Sequence, residues 1–188
     1  AYYRDALLDF SPDKPRIGPK HSRLNKLIET LCPDGVKYRQ LGEIGRVSMC
    51  RRIYKEQTAS VGDVPFFKIG TFGGEPNAYI PLSLYNEYKR KYPFPKKGDV
   101  LISAAGTIGK AVIYDGKPAY FQDSNIVWLD INESILSNKY LYYLYSTGNW
   151  MASEGGTISR LYNDDLRRLL IPIPPLPVQE EIVRILDQ

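Results

Sequence analysis

Histidine is almost missing from this chain: His21 is the one copy in 188 residues, and the only cysteines are Cys32 and Cys50. A Ser-His-Asp or Cys-His arrangement would have to use His21 as its base. That residue lies beside a basic, proline-rich stretch, where a histidine is ordinarily a surface group. Two scattered cysteines and one histidine give too few ligands for zinc, so no metal site is expected. The cysteines read as free thiols of a cytoplasmic protein rather than as a disulfide. No apolar run reaches membrane-spanning length and no basic-then-apolar leader is present, so no membrane partner is expected. Internal repeats and low-complexity tracts are also lacking.

What remains is an ordinary globular composition, 43% hydrophobic and 24% charged, sufficient for one sizeable core. The net charge of +4 is unevenly spread, with eleven basic residues against four acidic ones between Lys14 and Ser60. Such asymmetry suits an anionic partner, nucleic acid first. On charge alone a solvated basic surface explains it equally well. The 15 tyrosines suit interfaces, but core and boundary positions are the safer reading for most of them.

Along the chain, residues 1–10 look like the end of a helix and 11–20 like a connector rich in proline and glycine. Leu24, Leu27, Ile28 and Leu31 have helical spacing, and Pro33-Asp34-Gly35 ends that helix. A β-rich part follows, with strands expected at 36–41, 64–68, 99–103, 111–114, 119–121 and 126–131. Asp115-Gly116 signals a hairpin turn. Helices are expected at 83–92 and at 139–146, the second capped by Ser137 or Asn138 and ended by Gly148. Residues 154–160 read as a loop. Asn163 caps a short helical turn, and 169–173 is a closing strand.

The most informative stretch is the last. Pro172, Pro174, Pro175 and Pro177 fix φ and remove donors, so this run cannot continue as an interior strand. Glu180 and Glu181 then fall in a first helical turn. Val178, Ile182, Ile185 and Leu186 follow at i, i+4, i+7 and i+8 as one apolar stripe in need of a partner.

Chemistry is hard to find. Gly106-Thr-Ile-Gly-Lys110 suggests a phosphate loop, but the pattern lacks its first glycine at Ala104 and its Ser or Thr at Ala111, and a strand follows. It reads instead as a hairpin turn, whose backbone N–H groups, with Ser103, Thr107 and Lys110, can touch a nucleic-acid backbone. The acidic residues form no nuclease-like cluster. No Asn/Asp-Pro-Pro-aromatic motif of adenine methyltransferases occurs, and no glycine-rich loop for a methyl donor, so neither catalytic residues nor a cofactor are expected.

Three segments appear in order: Gly98-Asp-Val-Leu-Ile-Ser-Ala-Ala-Gly-Thr-Ile-Gly109, Gly156-Thr-Ile-Ser-Arg160, and Ile171-Pro-Ile-Pro-Pro-Leu-Pro-Val-Gln-Glu-Glu-Ile-Val-Arg-Ile-Leu186. Together they resemble a target recognition domain of the specificity subunit of type I restriction–modification systems. The resemblance implies an α+β fold, a mixed, mostly antiparallel twisted sheet with peripheral helices and helix fragments at both ends. It divides the chain into the end of a spacer helix (1–10), a linker (11–20), the recognition domain (21–177) and the start of the next spacer helix (178–188). It implies a non-catalytic module that reads half of a bipartite site in double-stranded DNA, docks methyltransferase subunits and serves a motor-nuclease subunit indirectly. The candidate DNA contacts are Arg51, Arg52, Lys55, Lys68, Thr71, Ser103, Thr107, Lys110, Gln122, Ser124, Asn125, Thr157, Ser159 and Arg160. Of these, Gln122 and Asn125 suit adenine and Arg160 suits guanine. The stripe Val178, Ile182, Ile185 and Leu186 is assigned to packing on the other spacer helix. A stand-alone nuclease and a protein- or carbohydrate-binding domain are the competing readings.

Overall fold

The computed structural model describes residues 2–11, 22–147 and 160–188. Most of the expected linker, His21, Gly148, Thr157 and Ser159 lie outside them. The architecture is α+β. In chain order it runs α1 (Tyr2–Leu8), α2 (Ser22–Leu31), β1 (Tyr38–Gln40), β2 (Gly45–Ser48), β3 (Val64–Phe67), β4 (Tyr79–Ile80) and α3 (Leu82–Lys91). It continues with β5 (Val100–Ser103), β6 (Ala111–Ile113), β7 (Tyr120–Phe121), β8 (Ile126–Ile131), α4 (Asn138–Thr147), α5 (Asn163–Arg168), β9 (Leu170–Pro172) and α6 (Leu176–Leu186).

The central sheet is antiparallel in the order β2-β8-β5-β6. All four residues of β5 are buried, as are Ile126 to Leu129 of β8. Successive strand side chains point to opposite faces, and here the two faces belong to different cores. Val100, Ile102, Val127 and Leu129 join a cluster with helices α1, α2, α4 and α6. Leu101, Ile126 and Trp128 join a second cluster, rich in aromatic residues.

That second cluster backs onto a small mixed sheet, β4-β3-β7, in which β3 and β7 run parallel. Most of its rings meet edge-on or tilted, and Phe67 stacks on Phe121 with centroids 5.9 Å apart, arrangements that ring quadrupoles favour. Phe94 lies 5.6 Å from Tyr85 and 6.1 Å from Tyr114, and Tyr114 lies 5.6 Å from Phe121. The hairpin expected at Asp115-Gly116 is therefore corrected. The turn exists, with Gly116 at φ +86° and Asp115 accepting the Lys117 N–H. However, among the described residues β6 pairs only with β5, and the chain crosses to pair β7 with β3. Local turn chemistry fixed the bend and a non-local aromatic core chose the partner.

Two caps also differ. The Asp165 carboxylate, not Asn163, begins α5 by accepting the Tyr162 N–H at 2.8 Å. Asn138 stands inside α4 with its Oδ1 buried and unpaired. Both cysteines are buried and free. Burial pushes the Cys50 thiol up to about 12, so it stays protonated and unreactive at neutral pH.

At the C-terminal end, β9 pairs with β1 as far as Pro172; the Ile173 N–H adds one more bond, to the Lys37 carbonyl at 2.9 Å, before Pro174 and Pro175 remove further donors. Helix α6 begins two residues earlier than the stripe suggested, with Pro177 in its first turn, so Glu180 and Glu181 fall in its second turn. Glu181 is 3% exposed and binds Arg184 at 2.7 and 2.9 Å and Arg23 at 3.4 Å. The apolar stripe is covered within the chain. Val178, Ile182 and Ile185 are buried in the helical core, where α6 packs on α2 and α4 and touches α1. The expected second spacer helix supplies that cover only through α1.

Gln179 is fully buried in this junction. Its Nε2 donates to the carbonyls of Ile135 and Pro174 at 2.8 Å, and its Oε1 accepts the Ser137 N–H at 2.8 Å. Replacing it with leucine strands three backbone groups. Gln179→Leu is expected to lose about 2–4 kcal/mol of unfolding free energy in a urea titration. Glu180→Gln, on the exposed side of the same turn, should stay within about 0.5 kcal/mol. Equal losses would remove Gln179 from this role.

Asp187, just beyond α6, accepts Lys139 Nζ at 2.7 Å and the Tyr143 hydroxyl at 2.6 Å from α4. These bonds hold its carboxyl below the ordinary 3.8. A folded value below the unfolded one adds stability above the unfolded value and loses it as pH falls through the folded one. Asp187→Asn should therefore be less stable than the parent at neutral pH. Acid titration of the two unfolding curves should bring them together below pH 3.8, and a constant gap would contradict the assignment.

Candidate nucleic-acid interface

The described candidates come from five separate segments, and the fold ties those segments together at one end of its strands. Just past β3, the Phe67 carbonyl accepts the Gln122 N–H at 2.9 Å, and Gln122 Oε1 accepts the Ile69 N–H at 2.8 Å. Just past β5, the Ala104 N–H donates to the Asn125 carbonyl at 2.7 Å. Arg160 forms a bridge opposite Ala105, and its Nη2 donates to the Ser124 carbonyl at 3.1 Å. Arg52 Nε reaches Asp123 Oδ2 at 2.9 Å. Gly106, at φ +65°, faces Ile69 closely enough that an added Cβ would lie 3.4 Å from its side chain. Residues 51–55, 68–71, 103–110, 122–125 and 160 thus form one linked edge.

Within that edge the side chains divide by what they already hold. Ser103, expected to meet DNA, is 2% exposed. Its Oγ donates to the Thr107 carbonyl at 2.5 Å and accepts the Lys110 N–H at 2.9 Å. It pins the loop from inside and has no face for a ligand. Thr71 Oγ1 is likewise taken up by the Lys68 backbone, at 3.1 and 3.2 Å. Gln122 cannot offer an adenine both halves of its amide, because Oε1 is bound to Ile69. The Arg160 fork is held on one side by Ser124, a poor geometry for bidentate contact with guanine. All four already hold a backbone partner within the fold, which leaves less of each side chain for a ligand.

The groups left facing outward are Arg51, Arg52, Lys55, Thr107 and Lys110, which are exposed, and Lys68 and Asn125, which are half-buried. Ser124 contributes its carbonyl and a strained φ of +54°. Residues 49–54 and 160–167 add a groove that the sequence did not reveal. Two depressions, of about 440 and 690 Å³, adjoin at Met49. Three of the most exposed tyrosines line them: Tyr54 (58%), Tyr92 (37%) and Tyr162 (62%). Arg51 stands 5.3 Å over the Tyr92 ring and Arg160 6.0 Å from the Tyr162 ring. The groove acids Asp123 and Asp164 are paired with Arg52 and Arg167. A groove of arginines and flat rings with its acids neutralised suits a polyanion that carries aromatic faces.

Among the described residues no three His, Cys, Asp or Glu side chains converge as metal ligands would, and no helix is long and apolar enough to cross a membrane.

Residues 33–188 match the family described as the type I restriction modification DNA specificity domain. A type I restriction enzyme specificity subunit of Haemophilus influenzae is 53% identical over 187 residues, covering 100% of this chain and 43% of that protein. The solved HsdS subunit of Thermoanaerobacter tengcongensis aligns at a TM-score of 0.64 and 22% identity, covering 100% of this chain and 42% of that one. A chain from a solved type I R-M system aligns at 0.66, also with 22% identity, covering 100% and 43%. The structural likeness speaks to the fold. This chain spans less than half the length of these proteins.

Removing the Ser103 hydroxyl tests its scaffolding role. Ser103→Ala should cost about 1–2 kcal/mol of stability in thermal or urea unfolding. Thr107→Ala, at the exposed tip of the same loop, should change it by less than about 0.5 kcal/mol. The reverse order would return Ser103 to the surface role.

Proposed function

This chain belongs to the type I restriction modification DNA specificity domain family, and on that footing we propose that it reads one half of a bipartite site in double-stranded DNA. The observation that carries the reading is the linked edge, where five segments bring cations and polar groups together and three of them line one groove. Lys55, Lys68, Lys110 and Arg51 set affinity and register through phosphates. Asn125 and Arg52 stand closer to the turn at Asp123 and face base edges. Thr157 and Ser159 stay in the proposal from sequence alone.

The proposed organisation keeps residues 1–10 and 178–188 as the margins of spacer helices, with the recognition domain between them. The methyltransferase subunits dock on the full subunit, and the motor-nuclease subunit is reached through them. The module itself performs no chemistry and needs no cofactor. A cytoplasmic location follows from where such a complex meets DNA.

Titrating the full-length subunit against duplex DNA at several salt concentrations tests this. Affinity should fall as salt rises, and Arg51→Ala or Lys55→Ala should each reduce the slope of log affinity against log salt by about 1. Affinity indifferent to salt would favour the protein- or carbohydrate-binding reading. Cleavage or methylation by the lone subunit would refute the non-catalytic assignment.

A further inference from the structure

Resting on that reading, we propose that Arg52, braced by Asp123, is a guanine-reading residue rather than a phosphate contact. The dipeptide Arg51-Arg52 is clamped at both ends, because Cys50 (2%) and Ile53 (9%) on either side are buried. Its backbone is fixed once more by the Tyr120 hydroxyl, which donates to the Arg51 carbonyl at 2.9 Å. Arg52 therefore projects from a rigid base, with 59% of its side chain exposed.

Its brace is equally fixed. Asp123 is 16% exposed and heads a tight turn in which the Asn125 N–H donates to the Asp123 carbonyl at 2.7 Å. Ser124 completes that turn at φ +54°, with its own carbonyl held by Arg160. The 2.9 Å bond from Asp123 engages Arg52 Nε. That leaves the end-on pair of Nη groups pointing away from the brace, the edge that matches guanine O6 and N7.

Charge separates this role from a phosphate contact. A carboxylate 2.9 Å from the guanidinium cancels most of its long-range field and would itself repel a phosphate. A base edge carries no net charge, so it loses little from the brace and gains from the fixed geometry. Asp123 keeps a second oxygen that can accept an amino group, cytosine N4 being the base donor that carboxylates favour. Arg51 next door has no such brace among the described residues: it lies over the Tyr92 ring with its charge intact. Adjacent arginines thus take different tasks, Arg51 for the backbone and Arg52 for a base.

The test uses the full subunit assembled with its methyltransferase, with methylated sites mapped by sequencing. Arg52→Ala should leave the rest of the recognised motif intact and relax one guanine position. Asp123→Ala should relax the same position to a lesser degree, and Arg51→Ala should lower methylation at all sites without changing the motif. In binding assays, 7-deazaguanine at that position removes the N7 acceptor. It should cost the wild-type complex roughly tenfold or more in affinity and cost the Arg52→Ala complex nothing further. If Arg52→Ala lowers methylation uniformly with the motif unchanged, or if both complexes respond equally to 7-deazaguanine, the inference fails while DNA reading stands. If the wild-type complex yields no defined motif, the underlying reading fails and takes the inference with it. Variant levels are checked in the assembled complex, and the deazaguanine comparison within the wild type does not depend on any variant folding.

Discussion

A strand buried on both faces cannot turn a side chain to water along its length, so polar function is driven to its ends. Strands β5 and β8 are in this position, and most of the layout follows. One face demands helices, and α1, α2, α4 and α6 supply them. The other demands a second apolar layer, and the aromatic cluster with β3, β4 and β7 supplies it. The chain can expose backbone, glycine and charge only where these strands stop. The loops at 104–110 and 122–125 leave the sheet at that point, and the loops at 68–74 and 160 are tied to them. The candidate interface is thus the exit edge of a doubly covered sheet.

The helical side is closed by the C-terminal segment, and the proline run explains how. Pro172 ends β9, and Pro174 and Pro175, which have no N–H, carry the chain away without needing acceptors. The chain then needs a partner for the carbonyls it exposes. Gln179, one turn into α6, turns back to bind Pro174 and reaches across to Ile135 and Ser137. A glutamine with both amide ends satisfied in a dry site fixes register as well as contact. The proline-rich stretch and the helix after it therefore act as a latch on this domain. Val178, Ile182 and Ile185 of the apolar stripe of α6 are buried by the same closure, with Leu186 half-buried at its edge.

Much of this was legible in the sequence. The 126–131 strand matches β8, and the 99–103 strand contains β5, because unbroken apolar runs bounded by Gly98 and Asp99 or by Asn125 leave little choice. Misread features share one physical origin, the indifference of local patterns to distant partners. Asp115-Gly116 dictates a bend but not whether the next strand returns beside β6 or crosses to β3. Ser103, Thr71 and Gln122 are polar groups in turns and loops, and local pattern does not tell whether a backbone group or an outside ligand takes them. Tyr54, Tyr92 and Tyr162 were hidden among 15 tyrosines, since Tyr120 and Tyr140, fully buried, look no different in sequence.

On the proposed reading, the arginines of the groove separate affinity from discrimination on one surface. Attraction to phosphate depends on net charge and is blind to sequence. Discrimination depends on a donor pattern held still against a base edge. A free arginine serves the first task, because its flexibility lets it follow the backbone and its charge is undiminished. It serves the second badly, because each fixed contact then costs the order it lacked beforehand. Pairing with an acid reverses both properties at once: field is lost and orientation is gained. Arg51 over a ring and Arg52 on Asp123 are adjacent in sequence and opposite in this respect. A site built this way can change which base it prefers by altering the brace, at Asp123, while the neighbouring cation continues to supply attraction.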